Sequence, residues 1–461
     1  MKVAFIHPDL GIGGAERLIV DAAMAMKELG NDVTIYTSHC DKTHCFEEVK
    51  REEFKVKVIG DFLPTNLFGK FSIVFAFLRQ LMLTFTILLN RELFQYDLII
   101  LDQLPYSIPI LHFFKNAETK ILFYCHFPDQ LLAPHDGTLR KIYRFFYDML
   151  EEFSTSCSDK VVVNSKFTKE IVYSTFPSLK NQELSVVYPC IPSEIGIDTK
   201  IDSLVENLFG DKNPYFLSIN RFEDKKNVSL AIESFAKFLN DPSLSSNSFE
   251  KLVIAGGYDS RVKENIDNLN KLKKLCVELG LKSTTVSKGD LSSIDDINSY
   301  NVIFLTSIST PLKNSLIKNC DLLLYTPSFE HFGIVPIEAM SLGKLVLATN
   351  TGGPLETVVN YFDDKKNFTG FTVDSDPEEW FKILKMFKKS FSKLDIENGS
   401  KNSIDRATDI FSFKALTNTL SSVINQTNPI VFKYEEVIRN SLTTVKFMFI
   451  IAISYLVKKL F

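Results

Sequence analysis

The feature that most constrains this chain is an alternation that runs twice. Short apolar runs rich in Val, Ile and Phe, bounded by Gly, Pro or Asp, take turns with longer segments of helical spacing. The runs at 2–7, 32–38, 55–60, 97–102, 120–127, 159–164 and 184–189 read as buried strands, with 15–29 as one of the helices between them. Apolar runs of this kind alternating with helices predict a parallel, doubly wound sheet. The pattern pauses over 191–214, where Pro192, Gly196, Gly210 and Pro214 fall. It restarts with strands at 215–220, 251–256, 321–325, 344–349 and 370–373. Two similar α/β domains joined by a linker near 191–213 face each other across a cleft. Ligands of open α/β sheets sit at the carboxyl ends of the strands.

Composition narrows the class. A formal charge of −4 gives no general case for a nucleic-acid partner. Seven scattered cysteines and an opening straight into the strand-like KVAFIH predict a reducing compartment and free thiols. The sequons at Asn227, Asn367, Asn398 and Asn425 are then expected to stay unmodified. Two segments fit a soluble α/β protein badly. Residues 71–89, FSIVFAFLRQLMLTFTILL, are almost wholly apolar, with Ser72, Arg79 and Thr86 on one narrow helical stripe. Such a segment lies in a bilayer interface, spans it imperfectly or is a buried helix, and membrane contact is the expectation. The apolar stretch 447–457 is shorter than the roughly 20 residues that span a bilayer. Lys446, Lys458 and Lys459 flank it and can snorkel; Lys458 and Lys459 also match a dilysine retrieval signal.

Five stretches carry candidate chemistry. HPDLGIGGAERL places a Gly-rich loop between a strand and a helix, a phosphate site or a plain tight turn. It is not the dinucleotide fingerprint, because Glu16 takes the third glycine's place; that disfavours an NAD oxidoreductase. FYCHFPDQLL sets His126 at a strand's carboxyl end before Pro128. In SINRFEDKKN, Arg221 and Lys226 flank a short loop before a helix expected near Asn227, a pair suited to a diphosphate. SFEHFGIVPIEAM holds Glu330 and Glu338. Read as strand, loop and helix with Pro336 at the first helical position, it projects Glu330 from the loop and puts Glu338 in the first turn. The two carboxylates thus bracket one ligand. NTGGPLETV follows, with Gly352 and Gly353 free for backbone contacts to that ligand. Two signals are set aside: SHCDKTHC (His39, Cys40, His44, Cys45) lacks the second ligand pair of a structural zinc site. Asp374-Ser375-Asp376 reads as a helix N-cap ahead of Pro377, Glu378 and Glu379.

With GIGGAE, SINRFEDKKN and the E-x7-E in order, the chain resembles the retaining glycosyltransferases of family 4 over residues 1 to about 430. YTSHCDKTHCFEE, YCHFPDQLL, NSKFT, SINRFEDKKN and FEHFGIVPIEAM are similar to the α-1,3/1,6-mannosyltransferases of dolichol-linked oligosaccharide assembly. The resemblance implies a GT-B fold, two facing Rossmann-like doubly wound domains around a central cleft, with a C-terminal hydrophobic segment. Its domains are then 1–200 on the acceptor side, 201–430 for the donor, and a membrane-associated tail at 431–461. It implies transfer of mannose from GDP-mannose to a dolichol-diphosphate-linked oligosaccharide on the cytosolic face of the endoplasmic reticulum membrane. Other mannosyltransferases of the pathway are implied as partners. By the same resemblance Arg221 and Lys226 clamp the diphosphate, Glu338 binds the ribose and Glu330 lies beside the transferring mannose. His126 contacts the donor sugar, and Gly13 and Gly14 approach the phosphates. His44 and Asp129 are acceptor-side candidates. No essential metal or other cofactor is implied. Alternatives are a related transferase with another lipid-linked acceptor, and a non-catalytic scaffold that keeps the fold.

Overall fold

The computed structural model describes residues 1–67, 71–133, 137–192, 195–210, 213–244, 250–294 and 296–430. The hydrophobic stretch 447–457 and its lysines lie outside them. Among the described residues, fourteen strands form two seven-stranded parallel sheets. The first contains β1 (Lys2–His7), β2 (Asp32–Thr37), β3 (Lys55–Val58), β4 (Leu98–Asp102), β5 (Lys120–Cys125), β6 (Lys160–Val163) and β7 (Ser185–Val186). Their spatial order is β3-β2-β1-β4-β5-β6-β7. The second contains β8 (Tyr215–Ile219), β9 (Lys251–Gly256), β10 (Ser283–Ser287), β11 (Val302–Thr306), β12 (Leu322–Tyr325), β13 (Val346–Thr349) and β14 (Gly370–Val373). Their order is β10-β11-β9-β8-β12-β13-β14. The strand order reverses direction between β1 and β4 and between β8 and β12, and such switch points open a crevice at the carboxyl edge. Strands β10 and β11 are additions to the five expected for the second domain.

The central strands of each sheet are buried on both faces, which is why they read as continuous apolar runs; the edge strands β3, expected to be buried, and β10 are partly exposed. Alternate residues of one strand serve opposite cores. Val3 and Phe5 of β1 pack with Leu18 and Ala22 on one side, while Ala4 and Ile6 pack with Leu83 and Ile87 on the other. The second sheet divides likewise, Leu217 and Val253 into one core and Phe216 and Leu252 into the other.

Three local features differ from expectation. The expected linker holds a helix, Thr199–Leu208, capped by Asp198 and packed on the second domain's helix Thr310–Asn319. The C-terminal helix Phe413–Gln426 belongs to the first domain's core, not the second's: Leu416, Leu420, Val423 and Ile424 join Leu18 and Leu98 there. The two crossings lie side by side, since Ile191 bridges Ser412 and its N–H donates to the Phe411 carbonyl at 2.9 Å. The third is helix Ser72–Leu89, three of whose polar residues face inward. Arg79, Gln80 and Thr84 are buried with Leu83 and Ile87, while Leu78, Phe85 and Leu89 are exposed. Of the expected stripe only Arg79 is buried; Ser72 is exposed. Among the described residues it is the one helix long and apolar enough to cross a membrane.

Candidate active site

The first switch point gathers three side chains from three strand ends. His7 ends β1, Asp102 ends β4, and His126 follows β5. The Asp102 carboxylate meets His7 Nδ1 at 2.7 Å and His126 Nε2 at 3.0 Å. Burial works to raise the Asp102 carboxyl, but the two imidazoles outweigh it and hold it below its ordinary value. Burial works equally to lower His7, and Asp102 reverses that, raising it. The residue after Asp102, Gln103, has φ of +58°, in the left-handed region. His126 is therefore a positioned imidazole and not a loose one.

The second switch point presents the charged groups. Beyond β8, a single turn of 3₁₀ helix, Asp224–Lys226, is followed by Asn227 at φ +46°. The helix expected near Asn227 starts at Ser229. Lys226 Nζ pairs with Glu330 Oε1 at 2.6 Å, and the backbone at Lys226 is tied to β12's end by Thr326 Oγ1 at 2.7 Å. Arg221 turns elsewhere, to Glu223 at 3.1 Å, and its side chain is 65 % exposed. Sequence spacing put Arg221 and Lys226 together; the fold engages only Lys226 with Glu330.

Glu338 sits deeper in its helix than expected. The helix is Ile334–Ser341 with Gly333 as its N-cap, so Pro336 is third and Glu338 fifth. Its Oε1 meets Lys313 Nζ at 2.6 Å, and its Oε2 is buried with no partner among the described residues. An unsatisfied carboxylate oxygen of that kind asks for a ligand hydroxyl. Gly352 and Gly353 serve loop packing: a Cβ on Gly353 would lie 2.1 Å from the Phe332 carbonyl oxygen, and one on Gly352 2.5 Å from that of Glu330. The Gly353 N–H donates to the Glu330 carbonyl at 2.8 Å, fixing the loop that carries Glu330. On the first domain, Gly13 and Gly14 open the helix Gly14–Glu28, and the space beside Gly14 is empty.

The domains meet where the site needs them. Phe127 stacks on His331 with ring centroids 3.7 Å apart at 6°. His126 and Glu330, their chain neighbours, thereby flank one cleft from opposite walls. Ser165 Oγ donates to the His331 carbonyl. Burial holds the His331 imidazole down to about 4, keeping it neutral for that stack. Glu356, in the NTGGPLETV stretch, caps the other domain's helix Lys166–Thr175. It accepts from the N–H groups of Lys166 (2.9 Å) and Phe167 (3.2 Å) and from the Tyr188 hydroxyl (3.0 Å). His44 stands exposed in the turn after β2, with no hydrogen bond or ion pair joining it to His7, Asp102 or His126 among the described residues. Asp129 is held by Arg144 at 2.9 Å, while buried Glu151 accepts from the N–H groups of Asp129 and Gln130. Asp376 caps the helix Pro377–Lys389 through the N–H groups of Glu378 and Glu379, as expected of the D-x-D.

Comparison with known proteins agrees with the fold. The model for Glycosyltransferase Family 4 matches residues 12–195, and that for glycosyl transferases group 1 matches 200–393. The α-1,3/1,6-mannosyltransferase ALG2 of Candida albicans is 49 % identical over 440 residues, 92 % of this chain and 98 % of that one. ALG2 of Saccharomyces cerevisiae is 47 % identical over 432 residues, 92 % and 84 % of the two chains. The chain belongs to the α-1,3/1,6-mannosyltransferase family. It is a glycosyltransferase with the GT-B fold. Solved structures extend the likeness of fold alone. Sucrose-phosphate synthase from Thermosynechococcus elongatus aligns with a TM-score of 0.67 at 16 % identity, covering 92 % of this chain and 98 % of that one. HepE from Anabaena, solved with UDP and glucose, aligns at 0.63 with 18 % identity, covering 92 % and 99 %. Sequence reasoning missed His7, Asp102, Lys313, His331 and the capping role of Glu356.

Proposed function

We propose that this enzyme transfers mannose, with retention, from GDP-mannose to a mannosylated GlcNAc2-diphosphodolichol, forming α-1,3 and α-1,6 linkages at the cytosolic face of the endoplasmic reticulum. The observation that carries the reading is the Lys226–Glu330 pair at one switch point facing His126 at the other. Without donor, the Lys226 ammonium is neutralised by Glu330 at 2.6 Å. A bound diphosphate takes over that ammonium, and Arg221 is exposed enough to swing onto it. The two cations stabilise charge on the departing diphosphate, the part a metal plays elsewhere, so no metal is needed. Glu330, released beside the sugar, stabilises its oxocarbenium-like state, and Glu338 Oε2 accepts a ribose hydroxyl. At the helix start the space beside Gly14 is open for N–H groups to meet the diphosphate, once the Glu16 carboxylate that lies against Gly13 turns aside. Membrane docking through helix Ser72–Leu89 keeps a lipid-linked acceptor at the cleft.

Purified full-length protein in liposomes, given GDP-mannose and a lipid-linked Man-GlcNAc2 acceptor, should add two hexoses. One should yield to an α-1,3-mannosidase and one to an α-1,6-mannosidase. Lys226→Ala and Glu330→Gln should each lower transfer by about 10²-fold or more while melting stays within a few degrees. Full activity in either variant removes that residue from the mechanism.

A further inference from the structure

Helix Ser72–Leu89 encloses a cavity of about 150 Å³ against the ends of β1 and β4. Two of its lining side chains carry polar atoms with no partner among the described residues: His7 Nε2 and Gln80 Oε1. Both residues are deeply buried, 1 % and 5 % exposed. Each such orphan has given up its water without a replacement partner, so two at one cavity ask for an occupant that satisfies both. The opposite end of each side chain is already fixed. His7 Nδ1 is held by Asp102, and Gln80 Nε2 donates to the Leu104 carbonyl at 2.6 Å. The carboxamide therefore offers only an acceptor. Asp102, working against burial, raises His7 above its ordinary value, which favours the form whose Nε2 also bears a proton. The pair then presents one acceptor and one donor, the complement of an amide. The rest of the lining is mixed: Ala76, Leu83 and Leu104 give it an apolar side, Ser38, Thr65 and Arg79 a polar one, with the Arg79 guanidinium already held by the Leu63 carbonyl and Asp9 exposed at the edge.

Position selects among amides. A single carboxylate, Asp102, separates this cavity from His126. The helix that roofs it turns Leu78, Phe85 and Leu89 outward. A chain molecule with its reacting end at His126 and its lipid end along that apolar face passes the cavity in between.

We propose that the cavity is a subsite for the acetamido group of an N-acetylhexosamine in the acceptor. Gln80 Oε1 takes the amide N–H, His7 Nε2 donates to the carbonyl, and the methyl packs on Ala76 and Leu83. The assignment rests on the mannosyltransferase reading above and adds to it the feature of the acceptor that is recognised.

The test uses the full-length protein in liposomes with GDP-mannose saturating. Two synthetic lipid-linked acceptors are compared, one with N-acetylglucosamine and one in which hydroxyls replace the acetamido groups. The KM of the wild type should be about tenfold or more higher for the hydroxyl acceptor, with little change in kcat. Ala76→Leu, which fills the cavity from the helix turn beside Gln80 and leaves His7 and Gln80 themselves unchanged, should raise KM for the acetamido acceptor by a similar factor. It should leave KM for GDP-mannose unchanged. Equal KM values for the two acceptors with the wild type overturn the subsite, whether or not the variant folds. So does a folded Ala76→Leu with unchanged acceptor KM, which marks the cavity as a water site. Wild type that transfers mannose to neither acceptor overturns the underlying reading, and the subsite with it.

Discussion

Removing the Asp102 carboxylate strands two imidazoles in one corner of the first domain. In the native chain the carboxylate is fully buried and holds His7 at 2.7 Å and His126 at 3.0 Å. Breaking a buried pair by deleting one partner costs about 3–5 kcal/mol. A domain of 150–250 residues loses about 2–4 °C per kcal/mol, so Asp102→Ala should lower its melting by about 6–20 °C. The loss should also depend on pH. His7 is raised in the folded state, so the stability it contributes is fully present below its ordinary value of about 6.5. That contribution fades as pH rises through the raised value. Asp102 is lowered, so its contribution is present above about 3.9 and is lost as pH falls through the lowered value. The penalty of Asp102→Ala is therefore greatest between about pH 4 and 6.5. Thermal melts of wild type and variant at pH 5.5 and 9 measure it. A loss below about 1 kcal/mol, or one equal at both pH values, refutes the argument.

Three further predictions follow from other contacts. Gly353→Ala drives a methyl to 2.1 Å from the Phe332 carbonyl oxygen; it should destabilise by about 1–3 kcal/mol and lower transfer, read by melting and initial rates. Glu356→Gln weakens the cap that joins the domains through Lys166 and Phe167. The expected cost of about 1–2 kcal/mol should cut kcat/KM for the donor roughly fivefold to thirtyfold with neither domain's melting shifted. Glu151 is pushed up to about 7 by burial, against the two N–H groups it accepts. The folded state then keeps a proton that the unfolded chain releases near 4.5. Stability should fall as pH rises through about 7, and Glu151→Gln should flatten the difference between melts at pH 6 and pH 8.

Residues at strand ends were the readable part of this molecule. In a doubly wound sheet the chemistry collects where strands stop, so His126, Lys226 and Glu330 could be placed from the runs that precede them. His7 and Asp102 obey the same rule, ending KVAFIH and LIILD, and the rule applied evenly would have found both. The polar edge strand β10, STTVS, hides because no apolar run marks it; β11, VIFLT, carries the same signature as its neighbours. Lys313 with Glu338, Phe127 with His331 and Glu356 with Lys166 were unreadable. They are pairings set by how helices and domains pack, and the last spans 190 positions. Helix Ser72–Leu89 shows a different limit. Periodicity tells which residues share a face but not which face the surroundings favour. In water the apolar face would turn inward, yet Arg79, Gln80 and Thr84 are inside and Leu78, Phe85 and Leu89 outside. Each inner polar side chain has a partner: Arg79 bonds the Leu63 carbonyl, Gln80 Nε2 that of Leu104, and Thr84 the Ser107 hydroxyl, with only Gln80 Oε1 left unpaired among the described residues. Covering the outer apolar surface with something other than water would contribute about 25 cal/mol per Å². That gain is the physical argument behind the proposal that this helix docks in a lipid surface.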